Sequence, residues 1–455
     1  MTETSTQTRP GSLHRTILRA ALSVAAASLF VKLVSLGKEI VVASAFGRSD
    51  SMDAFLAALL IPSLLVNLIA ESMNQALVPT LIRVREHEGQ QSAQRLFSSS
   101  LLWLVLLLTV VATAVALLAP VFIPLVGSNF DAHKRTLTLH LFCALVPLVV
   151  LSGIATNCTS VLNSLDRFLA PTLAPVVISF TVLATLGLWG ARAGIWTMVY
   201  ATLVGTLLQA LITAFLLERH GYHFSLRWHG ATEPVREVGR QYGPIFLSSL
   251  VASGGLLVDQ SMAAGLAPGS VSALVYSSRF VSVALAIMAG AISTAVLPSL
   301  ARLIAHGDWA ACRATVNHWV YLSLAAAIPV AAALVFGARL LVSTSLQHGA
   351  FGPSDTAVVT RVLAMYALQI PFYVASRVDF RLIVAARRTD LILSCGIVNL
   401  ALDVVLNIVL MRSMGIAGIA LATSLWTMST FLYLRFWSLR LMRQGANATQ
   451  TRPEN

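Results

Sequence analysis

Residues 32–48 read KLVSLGKEIVVASAFGR, and Asp53-Ala54-Phe55, Ile61-Pro62, Glu71 and Val78-Pro79-Thr80 follow within the next 32 positions. Lysines and glutamates stand here inside runs otherwise oily enough for a bilayer, where each unpaired charge costs roughly 2.5–3.5 kcal/mol by insertion scales. Charges retained at that cost face a watered cavity or a partner charge.

Working outward, the whole chain has the same character. Of its 455 residues 57% are apolar and 11% charged, with a mean hydropathy of +0.79, which is outside the range of a soluble globular protein. The chain reads as an all-α polytopic membrane protein. Its net charge of +12 is accounted for by basic loops that fix orientation, and nucleic acid is not implied as a partner. Cys143, Cys158, Cys312 and Cys395 are too widely spaced for a zinc or redox motif. No metal-ligand spacing or nucleophile motif suggests an enzyme, and no cofactor is indicated.

Apolar runs of about 20 residues, cut by Gly, Pro and charge, give about 12 spans. They divide into a tail over 1–16, six spans over 17–217, a polar linker over 218–241, six spans over 242–443, and a tail over 444–455. Arg15, Arg19, Arg83, Arg85, Arg95, Arg219, Arg227, Arg236, Arg240, Arg302, Arg313, Arg387, Arg388, Arg440 and Arg443 fall on one side. The opposite loops hold chiefly Arg48, Lys134, Arg135, Arg192 and Arg412. The bias predicts both termini in the cytoplasm of a multi-pass inner-membrane protein.

The chain also repeats at a period near 220. Val78-Pro79-Thr80-Leu81 returns as Leu297-Pro298-Ser299-Leu300, His87 with Gly89, Ala93 and Arg95 as His306 with Gly307, Ala311 and Arg313, and Gly194-Ile195 as Gly415-Ile416. Two tandem halves with an even number of spans share one orientation, so two pseudo-symmetric six-helix lobes around a central cavity are expected.

Lys38-Glu39-Ile40, Ala45-Phe46-Gly47, Asp53-Ala54-Phe55, Ile61-Pro62, Glu71 and Val78-Pro79, with Val275-Tyr276, Arg279 and Leu297-Pro298-Ser299-Leu300, resemble the MurJ/MviN family of lipid II flippases. That family sits in a superfamily with polysaccharide-unit flippases and multidrug exporters. The resemblance implies an alternating-access flippase for a polyprenyl-pyrophosphate-linked glycan, either lipid II or a related cell-envelope precursor. The alternatives are a flippase for polysaccharide, O-antigen or exopolysaccharide repeat units, a cation-coupled multidrug exporter and a non-transporting scaffold. The implied partners are the lipid-linked glycan, membrane lipids and cell-envelope synthesis enzymes. Val66-Asn67 stands where the family carries an adjacent arginine pair, Lys32 and Lys38 replace arginines, and the usual two further spans have no counterpart in this sequence.

The resemblance also implies that Lys32, Lys38 and Arg279 bind the pyrophosphate. On one helix the two lysines lie about 9 Å apart along the axis and some 120° around it. Each cation has a structural alternative: Lys38 pairs with an acid elsewhere in the bundle, and Arg279 with Asp259 or Glu71. Asp53 and Glu71 are counted with them as candidate substrate-binding residues, and the primary role expected of Asp53 is to cap its own helix and meet the positive end of its dipole. Glu71 either pairs with a cavity lysine or changes protonation during transport. Asn399 and Asp403, one turn apart with Asn407 beyond, join Asp259 either as oxygen ligands for a coupling Na+ or as an interhelical hydrogen-bond cluster. The resemblance brings in the sodium reading, and a coupling H+ is the other candidate. Arg377, Asp379 and Arg381 line the second lobe's cavity or approach its cytoplasmic edge.

Overall fold

A computed structural model describes residues 10–126, 130–190, 192–305, 307–386 and 388–450. His306 of the sequence repeat, Arg387 and the outermost residues of both tails lie outside that set. Among the described residues the chain is helical and has no strand. In hydrocarbon a segment must satisfy its own backbone groups, and a continuous helix does so without a partner.

The helices are α1 (Pro10–Phe46), α2 (Asp50–Leu65), α3 (Ser72–Glu88), α4 (Gln90–Val126), α5 (Ala132–Ser164), α6 (Leu169–Leu173), α7 (Val176–Trp189) and α8 (Trp196–Arg219). They continue as α9 (Glu233–Ala264), α10 (Ser270–Ala305), α11 (Trp309–Ser345), α12 (Pro353–Ala367), α13 (Ile370–Ala385), α14 (Thr389–Met414) and α15 (Ile416–Gln450). Among the described residues, 11 stretches are long and apolar enough to cross a membrane, with α2 to α3 and α12 to α13 each forming one. The first span expected from the sequence is α1, a continuous helix of 37 residues ahead of those 11.

Two bundles follow from which helices touch. In the first, α5 packs on α2, α4 and α8, and α7 joins α8 to α1. In the second, α13 packs on α10, α11 and α15, while α14 joins α15 to α9. The backbone repeats with the sequence, since Gly194 and Gly415 precede the last helix of each bundle with φ of 60° and 57°. Between the bundles, α1 meets α10 and α3 meets α9.

The interval between the bundles is shorter than its polar composition suggests, because α8 runs through Arg219 and α9 begins at Glu233. The connecting strand of backbone is laid along α4. Gln94 donates to the His223 carbonyl at 2.7 Å and accepts from its N–H at 3.0 Å, and the Ser98 and Ser225 hydroxyls meet at 2.7 Å.

One interruption of the helical ladder falls on the sequence departure noted above. Val66–Glu71 forms a π-helical turn between α2 and α3, one turn beyond Pro62, whose ring removes a donor from the ladder.

Candidate functional site

The charged residues of α1 converge with α10 on one acid. Glu39 is only 4% exposed, and its Oε1 lies 2.9 Å from Lys38 Nζ and 3.4 Å from Arg279 Nε. Cations from both bundles therefore share one carboxylate oxygen, leaving a local surplus of one positive charge. Lys32, two turns earlier and exposed, lies within electrostatic reach of Arg279. Arg279 keeps 42% of its side chain accessible, so its guanidinium has donors left for a ligand. Its acidic partner is Glu39, and neither Asp259 nor Glu71 takes that place. Glu71 is exposed at the end of the π-helical turn, its carboxylate 3.5 Å from the Asn74 amide and without an ion pair. Among the described residues no lysine pairs with it.

A second buried acid lies in the other bundle. Asp259 on α9 accepts from the Asn407 amide at 2.7 Å and from the Thr423 hydroxyl at 3.0 Å. Asn407 also donates to Asp403 at 3.2 Å, so three helices tie into one cluster. Asp403 and Asn407 are 1% and 0% exposed. Among the described residues no Lys, Arg or His pairs with either carboxylate. Asp403 Oδ2, Asn407 Oδ1 and Asn399 Oδ1 are buried acceptors without a donor, each costing about 1–3 kcal/mol if left so. Asn399 and Asp403 border a cavity of about 490 Å³ whose wall also includes Gly255, Asp259, Gln369 and Thr423, and Asn407 lies behind that wall against both carboxylates.

Two carboxylates, amides and a hydroxyl form an oxygen set suited to a hard monovalent or divalent cation. Among the described residues no three His, Cys, Asp or Glu side chains gather. Asn399 points its amide at Thr430 Oγ1, 2.7 Å away, so its place is on the cavity wall; Asn407 and Thr423 make the inner contacts.

Asp53 belongs to neither group. The cap of its own helix is Ser49, whose hydroxyl accepts from Met52 N–H at 3.3 Å. Asp53 instead crosses to the other bundle and accepts from Gly269 N–H at 2.7 Å and Ser272 N–H at 2.9 Å, the free donors that open α10. Around it the end of the molecule away from the termini is stitched shut. Arg48 donates to the Gly269 carbonyl at 2.9 Å and pairs with Asp355 at 3.3 Å, Tyr276 donates to the Gly47 carbonyl at 3.0 Å, and Ala350 N–H donates to the Ser44 carbonyl at 2.8 Å. A Cβ at Gly47 would stand 2.5 Å from the Ala350 carbonyl oxygen, and one at Gly349 would collide with that of Ser44. Among the described side chains, the opposite seam is held by an Arg83–Glu237 ion pair and a Ser72–Ser249 bond of 3.0 Å.

The family model described as Lipid II flippase MurJ matches residues 42–450, which takes in both bundles and every residue above except those of α1 before Val42. The chain belongs to the MurJ family.

Among curated MurJ relatives, the probable lipid II flippase MurJ of Rhizobium meliloti is 28% identical over 418 residues, covering 89% of this chain and 77% of that protein. The lipid II flippase MurJ of Burkholderia cenocepacia is 29% identical over 366 residues, covering 77% and 70%. The fold is that of a solved lipid II flippase MurJ in an inward closed conformation, with a TM-score of 0.80 at 22% identity over 95% of this chain and 93% of that one. An inward-facing multidrug MATE transporter of the MOP superfamily superposes with a TM-score of 0.75 at 12% identity, over 95% and 100%. MurJ membership and this architecture describe a multi-pass transport protein and exclude an enzyme reading.

Two residues of this MurJ-family chain were out of reach of sequence reasoning as site members. Glu39 was visible within Lys38-Glu39-Ile40, but neighbours in sequence are about 100° apart on a helix and give no reason to pair. Thr423 carries no local signal. The Arg377–Arg381 group resolves in part: Asp379, 0% exposed, pairs with Arg435 of α15 at 3.3 Å, and Arg435 also donates to Asn317.

Proposed function

We propose that the chain moves lipid II, a polyprenyl chain carrying a pyrophosphate and a glycan head, across the bacterial cytoplasmic membrane by alternating exposure of the space between its two bundles. The observation that carries this is the convergence of Lys38 on α1 and Arg279 on α10 at Glu39. A surplus of positive charge supplied by both bundles is suited to an anion that must be held while the bundles move against each other. Lys32, Lys38 and Arg279 bind the pyrophosphate, with Arg279 offering the planar fork and the lysines point charges. The prenyl chain stays in lipid.

In this reading both termini are cytoplasmic, the stitched seam around Asp53 is the outer gate, and 17–217 and 242–443 are the two moving lobes joined by 218–241. Asp259, Asp403, the cavity-wall Asn399 and the adjoining Asn407 hold a coupling cation, Na+ by preference. A cation drives the cycle only to the extent that it binds one conformation better than the other. Glu71 has no assigned part beyond lining the path at the π-helical turn. Enzymes that make or consume the glycan are the natural neighbours in the membrane.

The test is complementation of a strain depleted of its lipid II flippase, paired with a reconstituted translocation assay. Rescue by the native chain, lost in Arg279→Ala, is expected. Rescue of polysaccharide export without rescue of lipid II translocation would move the substrate to another lipid-linked glycan.

A further inference from the structure

Beside the carboxylate cavity lies a smaller one of about 190 Å³, walled by α13, α14 and α15. The two share Gly396, Asn399 and Trp426, yet their chemistry is opposite. Its charged wall residue is Arg377, and no carboxylate borders it. The guanidinium is held by aromatic faces, 4.2 Å from the centre of Tyr373 and 6.0 Å from that of Phe380. Stacking fixes its plane while leaving the N–H edge free, and Arg377 makes no hydrogen bond or ion pair with a described residue. Asp379, two positions on, faces away and is taken by Arg435.

Trp426 adds a second donor. Its indole N–H is buried at the same wall and has no acceptor. The hydroxyls of Ser376, Thr427 and Thr430 donate their protons to main-chain carbonyls, at 2.8, 2.7 and 3.0 Å, and none of them accepts from Arg377. Arg381 lies one turn toward the cytoplasmic end of α13, also without a partner among the described residues, and extends the positive potential along the helix. A fixed guanidinium and an orphaned N–H stand around a hollow without a carboxylate, and the unpaired acceptor on its wall is the neutral Asn399 Oδ1.

We propose that this cleft is an anion site that takes one carboxylate or phosphate group, bound by the Arg377 fork and the Trp426 indole. It is separate from the cations that meet Glu39, and it does not depend on lipid II being the substrate. An anion here neutralises a half-buried charge in the wall next to Asp403, so its occupancy also bears on how strongly the neighbouring cavity attracts a cation.

The experiment uses the purified full chain in detergent, titrated with inorganic phosphate and with acetate at constant ionic strength. Melting temperature and tryptophan fluorescence are recorded. A saturable stabilisation is expected, with a fluorescence change that disappears in Trp426→Phe and a half-saturation at least tenfold weaker in Arg377→Gln. Arg377→Lys keeps the charge without the fork, and its intermediate affinity separates lost binding from lost folding. A second arm adds a water-soluble glycopeptide bearing free carboxylates. Competition with phosphate assigns the site to a substrate head group, and its absence assigns it to a free anion. A non-saturating response, or equal responses in the native chain and Arg377→Gln, overturns the proposal whatever the outcome of the translocation assay.

Discussion

Glu39 and Asp259 stand 220 residues apart, the period of the internal repeat, and the two bundles treat them in opposite ways. Glu39 is met by two cations, one from each bundle. Asp259 is met only by neutral donors, an amide and a hydroxyl, and has Asp403 as a neighbour. A buried acid normally needs its counter-charge built in. Around Glu39 the two bundles together supply that charge in excess, which suits an anionic ligand. Around Asp259 the second bundle withholds it and leaves an oxygen-lined cavity, which suits a cation. Two acids one repeat apart thus sit in opposite electrostatic surroundings.

The sharpest way to break this comparison is to neutralise each acid in turn. Glu39→Gln leaves Lys38 and Arg279 unopposed at a buried position, and a stability loss of about 2–3 kcal/mol is expected, below the 3–5 kcal/mol of a fully buried pair because Arg279 is partly solvated. Chemical or thermal denaturation in detergent reads it directly. Asp53→Ala comes next, at about 1–2 kcal/mol, since two backbone N–H groups of α10 lose their cap. Cysteine labelling at the Ser44–Ala350 seam should rise with it, and unchanged labelling would remove Asp53 from the gate.

At the other acid the expected change is small. Asp259→Asn keeps an acceptor for Thr423 and removes a buried charge, so stability should shift by no more than about 0.5 kcal/mol in either direction. A loss as large as that of Glu39→Gln would mean that Asp259 already has a counter-charge in the native chain. Last, sodium should raise the melting temperature relative to potassium or choline, and Asp403→Asn should abolish the difference. Stabilisation that is the same for all three salts would leave the cluster as an interhelical bond network.

The architecture was legible because hydropathy, arginine bias and repeat are all one-dimensional signals. The series of apolar spans and the two bundles needed nothing more. The clamp residues Lys38 and Arg279 could be nominated, but their meeting at Glu39 joins positions 240 apart and appears only when α1 is laid against α10. Asp53 shows the same limit. Its position at the start of a helix suggested a local cap, while Ser49 already filled that role and the real partner lay 216 residues downstream. The π-helical turn was hidden as well, since Val66–Glu71 carries no residue that disfavours a regular helix and Pro62 acts from outside it.

The seam around Asp53 is made largely of main-chain groups: the N–H groups of Gly269, Ser272 and Ala350, and the carbonyls of Ser44, Gly47 and Gly269. None of these can be left bare when the two bundles part, and hydrocarbon offers them nothing. Opening therefore has to be a wetting event, in which water floods the gap and takes over each freed group as it separates. The rate of that stroke should depend on solvent activity, so that osmolytes slow it without touching either buried acid.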